Sequence, residues 1–157
     1  MNPYLGGITP DKPWGGNGSA ALYGLDVGKN LSPAWGIELD LNDAPLSDRF
    51  GPQRSQLYGG ALQLLRVFRI KRGFAPYLSI GSGVTHLAPP AGIPLQRRTE
   101  FMVQAGTGAI VGLWESGDGW RSLALRPDVK FRWTHGWAHA PGNPVDVLYV
   151  FGLTFSF

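Results

Sequence analysis

The residues of this sequence best suited to chemistry are charged side chains that recur at every second position near the C-terminus. Between residues 122 and 133 a charged or small set alternates with an apolar one: Ser122, Ala124, Arg126, Asp128, Lys130 and Arg132 against Leu123, Leu125, Val129, Phe131 and Trp133. Successive side chains of a β-strand point to opposite faces, so this segment predicts a strand with one ionic face. Enclosed charges of this kind must be paired.

Acidic residues on other alternating segments are the expected partners of these bases. The polar faces of those segments carry Asp26, Glu38, Asp40, Glu100 and Asp146. We predict that these acids and Asp128 meet the bases Arg126, Lys130 and Arg132 in one ion-pair network that fills an enclosed interior. An alternative interpretation is a narrow ion pore that the same pairs gate.

Histidine and serine residues suggest a different chemistry, the hydrolysis of an acyl group. A histidine within hydrogen-bond reach of a serine can act as its base. The candidates are His86, His135, His139, Ser47, Ser55 and Ser82. No His-x-Ser pair occurs, and a metal site at His135 and His139 needs a helix that Gly136 disfavours. We therefore predict no catalytic residues, no metal and no cofactor.

The charged groups must be positioned by β-strands, and the C-terminal segment, residues 145–157, shows the alternation of side chains that predicts such a strand. Seven further alternating segments precede it, at residues 2–9, 21–27, 35–42, 56–69, 77–86, 100–113 and 122–133. They predict an all-β fold, an eight-stranded antiparallel transmembrane up-and-down β-barrel with a polar interior. Its outward, lipid-facing belt is expected to include Val103, Val111, Leu125, Phe131, Phe151, Phe155 and Phe157.

The connections between these segments alternate in length, as in a barrel that has both termini on one side of a membrane. Short links are predicted at residues 29–33, 71–73 and 116–119, and long ones at 10–18, 43–53, 87–96 and 135–144. Trp35, Tyr77 and Trp120 lie near short links, and Trp133 and Trp137 near a long one, which is typical of aromatic girdles at membrane interfaces.

Two segments depart from simple alternation. Residues 56–69 carry apolar side chains on both faces, which a β-bulge would reconcile. Pro127 lies in the middle of the seventh segment and has no backbone N–H to donate, so we expect a local irregularity there.

Composition limits the alternatives. The 157 residues fit one domain, 1–157, and no apolar run is long enough for a spanning helix. Cysteine is absent, which excludes disulfides and thiolate metal sites. The net charge of +3 is spread along the chain, so no nucleic-acid partner is predicted. A soluble ligand-binding barrel would be polar outside, which the ionic strand contradicts.

Several short motifs resemble the transmembrane domain of the OmpA-like family of small outer-membrane barrels. They are YLGG at 4–7, WGIEL at 35–39, APY at 75–77 with GSG at 81–83, GW at 119–120 with LALR at 123–126, and FGLTFSF at 151–157. The resemblance spans nearly the whole chain. It implies a bacterial outer-membrane protein, here in its mature form, because no signal peptide is visible at the N-terminus.

The resemblance also implies partners and a role. We expect contact with outer-membrane lipids and lipopolysaccharide, recognition of the strand ending at Phe157 by the barrel-assembly machinery, and a monomer. The expected role is structural or surface-exposed, without catalysis, with loops available for surface interactions. A narrow gated ion pore and a lipid A-modifying barrel hydrolase are the alternatives that such barrels offer.

Overall fold

Eight antiparallel strands form a closed barrel in the computed structural model of the chain, which describes residues 1–9, 19–47, 54–69, 73–90, 97–116, 122–135 and 145–156. Each strand pairs with the next, and β1 pairs with β8. The strands are β1 (Asn2–Thr9), β2 (Ala20–Ser32), β3 (Trp35–Ser47), β4 (Arg54–Val67), β5 (Phe74–Ala88), β6 (Arg98–Glu115), β7 (Ser122–His135) and β8 (Val145–Ser156). The predicted eight-stranded antiparallel barrel is confirmed.

The two ends of the barrel differ, and we name them by their connections. The turn end carries both termini and the short links, and there the Met1 ammonium donates to the carbonyl of Phe155 at 2.9 Å. The loop end carries the long links. On this definition β1, β3, β5 and β7 run from the turn end to the loop end, and the other four strands run back.

Strand lengths correct some of the predicted boundaries. β2 continues to Ser32, so the first short link is only the turn at residues 33–34, where Ser32 Oγ accepts from the Trp35 N–H at 3.1 Å. β3 continues through residues 43–47, which the sequence analysis assigned to a loop. Those residues pair in unbroken register with β4, and Pro45, which lies within β3, removes only one backbone donor from the ladder.

The structure also shows how the two segments that depart from simple alternation, β4 and the part of β7 at Pro127, pair with their neighbours. β4 has no bulge, since its register with β3 and with β5 is continuous, and its inner face simply contains Leu57 and Leu65. Pro127 stays in register with β8, whereas Pro127 and Arg126 have no ladder partners on β6. A register shift in that pair lies farther along, between Gly112 and Trp114.

The inside of the barrel is polar and its outer surface is apolar. Arg132 is fully buried and Lys130 is 1% exposed, whereas Phe151 is 69% exposed. This layout follows from the alternation, because each strand has one enclosed face and one outer face. The predicted polar interior is confirmed. Among the residues described, no helix is long and apolar enough to cross a membrane.

Candidate functional site in the barrel lumen

The carboxylate of Asp40 is the centre of the polar lumen. It is fully buried and accepts hydrogen bonds at 2.6 to 3.1 Å from five side chains: Tyr4, Asn42, Gln63, Gln104 and Lys130. These donors come from five different strands of the barrel, namely β1, β3, β4, β6 and β7. The Lys130 ammonium lies 2.9 Å from Oδ2 and neutralises the carboxylate. One acid therefore ties most of the barrel wall together across the lumen.

Arg126 organises the part of the lumen nearer the turn end. Its two terminal nitrogens donate to the two carboxylate oxygens of Glu38 at 2.7 and 2.8 Å, a bidentate pair. Its Nε donates to the hydroxyl of Tyr77 at 2.6 Å, and the guanidinium lies 4.6 Å from the centre of that ring. The Tyr77 hydroxyl in turn donates to Asp128.

Asp26 joins these two groups. Its Oδ2 accepts from Asn2 Nδ2 at 2.8 Å, while Arg126 and Lys130 approach its carboxylate at 3.8 and 3.7 Å. The structure therefore brings six of the nine predicted charged residues into a single cluster, which we call the ionic lumen cluster: Asp26, Glu38, Asp40, Arg126, Asp128 and Lys130.

The other three predicted charges lie nearer the loop end. Arg132 is buried and donates to Asn42 Oδ1 at 3.0 Å, which connects it to Asp40 through an amide. Asp146 is buried directly opposite Arg132 in the β7–β8 register. Glu100 is half-buried at the start of β6 and is absent from the ion pairs of the described residues.

Glycines make room for the two tyrosines that enter the lumen. A side chain at Gly24 would collide with the ring of Tyr4, and one at Gly108 would collide with the Tyr77 hydroxyl and with Asp128. An eight-stranded barrel has space only for its own side chains, so each bulky group needs a small neighbour. These glycines belong to the site because they let both phenols reach their carboxylates.

A second group of buried residues fills the lumen nearer the loop end. We call it the apolar lumen cluster, and it comprises Ile8, Leu22, Ala44, Leu46, Leu57, Leu87, Leu148 and Val150, packed with Tyr4. Ile8, Leu22 and Leu148 are fully buried. Alternation predicts inner faces for Leu22, Leu148 and Val150, whereas the sequence predicts loops at Ala44, Leu46 and Leu87. The cluster itself was not predicted, because its members come from different strands and meet only after closure.

Tyr77 is a correction to the sequence analysis. The sequence predicts Tyr77 in an aromatic girdle, but Tyr77 is 1% exposed and its hydroxyl bonds to Arg126 and Asp128. The signal was present, because Leu78 and Ile80 face outward and alternation places Tyr77 inward. Trp35 and Trp133 do face outward, whereas Trp120 and Trp137 lie outside the described residues.

Polar amides are the other site residues that sequence analysis missed. Gln63 and Gln104 are each 1% exposed and donate to Asp40, and Asn42 links Asp40 to Arg132. Alternation predicts an inner position for Asn42 and Gln104 and leaves the face of Gln63 open, and uncharged side chains gave no reason to select any of the three. These amides matter only because the closed barrel brings them within hydrogen-bond distance of the Asp40 carboxylate.

The predicted belt residues lie on the outer face. Val103, Leu125, Phe131, Phe151 and Phe155 are 37 to 69% exposed, and Val111 is half-buried. Phe157 lies outside the described residues. The exposed apolar side chains therefore form a continuous outer surface over adjacent strands, including β6, β7 and β8.

Among the described side chains, no hydrogen bond joins a candidate histidine to a candidate serine. His86 Nδ1 lies 2.8 Å from Thr99 Oγ1, and the His86 ring stacks on Tyr58. Ser82 is four residues from His86 on the same strand, a separation of about 13 Å, and Ser55 is buried in the lumen on the other face of the sheet. His139 lies outside the described residues. Within the described ranges, no three metal-ligating side chains form a group.

Comparison with solved structures identifies the architecture. The crystal structure of Neisserial surface protein A (NspA) matches with a TM-score of 0.81 and 11% sequence identity, over 99% of this chain and 95% of that chain. The chain has the fold of a small outer-membrane barrel. The N-terminal β-barrel domain of Pseudomonas aeruginosa OprF matches with a TM-score of 0.54 and 14% identity, over 97% and 96% of the two chains.

A third solved structure also matches the fold of this chain. Ail, the attachment invasion locus protein of Yersinia pestis, matches with a TM-score of 0.53 and 12% identity, over 99% of this chain and 95% of that chain. No protein-family model matches the chain, and no curated protein matches its sequence. The likeness is therefore one of fold, and it agrees with the resemblance that the motifs indicated.

Proposed function

We propose that this chain is a bacterial outer-membrane protein with a structural or surface-exposed role, in which residues 1–157 form one monomeric barrel domain without catalysis. The observation that carries the proposal is the reversed layout of the barrel. Large apolar side chains such as Phe151 and Ile80 are more than half exposed, while Arg126 and Lys130 are buried. A monomer with so continuous an apolar surface is unfavourable in water and favourable in lipid.

The dimensions of the barrel support a spanning role. A strand that crosses a bilayer at a tilt needs about 9 to 11 residues, and seven of the eight strands have 12 to 18. Closure pairs β1 with β8, so the sheet has no free edge to expose to hydrocarbon.

Orientation follows from the two ends. We infer that the turn end faces the periplasm and that the long links at the loop end reach the cell surface, as the short and long connections of such barrels do. We also infer that the barrel-assembly machinery recognises the C-terminal strand that ends at Phe157. The outward faces would contact membrane lipids, with lipopolysaccharide on the loop side.

A closed lumen is favoured over an ion pore. Buried leucines and isoleucine occupy the loop side of the lumen, and cross-lumen bonds to Asp40 occupy its middle. An ion would have to displace both groups. Recordings across planar bilayers should therefore show no steady conductance, and discrete channel openings by the purified barrel would favour the pore.

The absence of cysteine allows a direct test of location and orientation. Ala138→Cys, in a long link, should react with a membrane-impermeant maleimide on intact bacteria. Pro33→Cys, in the turn at the other end, should react only after the outer membrane is permeabilised. Equal labelling of both variants on intact cells, or recovery of the protein outside the outer-membrane fraction, would contradict the proposal.

The hydrolase alternative has its own measurement. Lipid A from cells that express the barrel should have the same mass spectrum as lipid A from cells with an empty vector. A loss or transfer of an acyl chain that disappears in His86→Ala or His135→Ala would establish catalysis instead.

A further inference from the structure

One cation on the outer face of the barrel lies beside two aromatic rings and forms no ion pair with an acid of the described residues. The Arg66 guanidinium lies 4.8 Å from the ring centre of Trp35 and 5.7 Å from that of Phe68. Within the part of the chain that the structure describes, its guanidinium has no ion pair, since the pairs lie inside the barrel. It therefore presents a positive charge outward without a counter-ion from the described residues.

The position of Arg66 is fixed by its strands. Arg66 is the second-last residue of β4, opposite Trp35 on β3 and Leu78 on β5, so it lies at the turn end of the outer face. Backbone bonds hold this corner, because the Val67 N–H donates to the Ala34 carbonyl at 2.9 Å and the Phe68 N–H donates to the Pro76 carbonyl at 2.8 Å.

The outer face around Arg66 is otherwise apolar and exposed. Trp35, Leu64, Phe68 and Leu78 are each 41 to 54% exposed. A lipid that packs its chains on Leu64 and Leu78 would bring its headgroup to the level of Trp35 and Arg66. Lys29, exposed on β2, and Arg69, exposed just after β4, add positive charge to the same end.

We propose that Arg66, stacked between Trp35 and Phe68, binds the phosphate of an anionic phospholipid in the membrane leaflet at the turn end. This inference rests on the proposed function, since it needs the outer face to be in a bilayer. A guanidinium stacked on an aromatic face keeps its N–H edge free, and that edge matches two phosphate oxygens. The nearby Lys29 and Arg69 favour a headgroup with net negative charge over a zwitterionic one.

Native mass spectrometry of the folded barrel can test the site. The protein is released from detergent micelles that contain equal amounts of phosphatidylglycerol and phosphatidylcholine with the same acyl chains, and the bound lipids are counted. The wild type should retain mainly phosphatidylglycerol. Arg66→Gln should reduce that preference about fivefold, since one basic side chain near an anionic lipid contributes roughly that factor.

Two further variants and one matched control make the result specific. Trp35→Leu keeps the charge but removes one ring, and it should also reduce the preference. Arg66→Lys keeps the charge without the planar group, so its preference should lie between those of wild type and Arg66→Gln. Arg97→Gln removes the same charge from an exposed position at the loop end and should leave the preference unchanged.

Folding is checked separately by heat-modifiable gel mobility and by insertion into lipid vesicles. If the barrel inserts and Arg66→Gln behaves like Arg97→Gln, the phospholipid site is wrong while the proposed function stands. If Trp35→Leu has no effect, the stacked geometry is wrong. If the wild type does not insert into vesicles at all, both the site and the proposed function are wrong.

Discussion

The ionic lumen cluster and the apolar lumen cluster fill the same cavity by different means. On β1, β2 and β3 the apolar residue lies nearer the loop end than the polar one: Ile8 beyond Tyr4, Leu22 before Asp26, and Ala44 beyond Asp40. The lumen is thus mainly apolar on the loop side, where Arg132 and Asp146 are its buried charged residues, and ionic in the middle and on the turn side. Both regions are buried, so exposure alone does not distinguish them.

The two clusters contribute to the stability of the barrel in different ways. Apolar packing stabilises through burial and contact and is tolerant of direction. Hydrogen bonds and ion pairs require particular partners, and Asp40 has five of them on five strands. We therefore expect the ionic cluster to select one strand arrangement and the apolar cluster to close the lumen. Substitutions can therefore disrupt each cluster separately.

The largest effect is expected from Asp40→Ala. It leaves the Lys130 ammonium, which is 1% exposed, without its nearest carboxylate, and it frees four neutral donors. Loss of one partner of a buried pair costs about 3 to 5 kcal/mol. The free energy of unfolding, measured by urea titration in lipid vesicles, should fall by that amount.

Asp43→Ala is the matched control for this change, because Asp43 lies on the same strand and faces outward. It should not destabilise the barrel comparably. Equal losses for the two variants would show that the cross-lumen bonds of Asp40 contribute little.

Leu148→Ala tests the other region. Leu148 is fully buried in the apolar lumen cluster, and truncation of a buried leucine costs about 2 to 5 kcal/mol. Leu153→Ala on the same strand removes an outward side chain that is 41% exposed and should cost less. The same urea titration measures both, and a greater loss for Leu153→Ala would reverse the assignment of the faces.

Leu125→Arg tests the boundary between the lumen and the outer face. Leu125 is 43% exposed, while its neighbour Arg126 is 1% exposed. An arginine on a lipid-facing strand costs about 2 to 4 kcal/mol near the middle of the bilayer. Thr154→Arg, at an inner position near the turn end, should cost less, and equal costs in vesicles would contradict the proposed lipid-facing belt.

Tyr77→Phe is expected to give the smallest of these effects. It removes the hydroxyl that joins Arg126 to Asp128 but keeps the ring. A hydrogen bond to a charged group contributes about 1.5 to 3 kcal/mol. Tyr58→Phe, on an exposed outer position, should be nearly neutral in the same unfolding measurement, and a similar loss there would exclude a special role for Tyr77.

Alternation in the sequence was sufficient to predict the strands and, except on β4, the face that each side chain occupies. The pattern of residues 122–133 predicted that Arg126, Asp128, Lys130 and Arg132 share an enclosed face, and all four are buried. It was insufficient where strands end. Residues 43–47 contain Asp and Pro, which are typical of loops, yet they pair with β4 because that neighbour extends equally far. Pairing with a neighbouring strand overrides local preference here.

What the sequence by itself determined is therefore the number of strands, the direction of most side chains outside β4, and the polarity of the two surfaces, because these follow from a repeat of two residues along one chain. Which charges meet was decided by the tertiary structure alone. Lys130 reaches Asp40 and Arg126 reaches Glu38 across the lumen, over about 90 positions of sequence. Such partners depend on the stagger of strands at closure, which no local pattern contains.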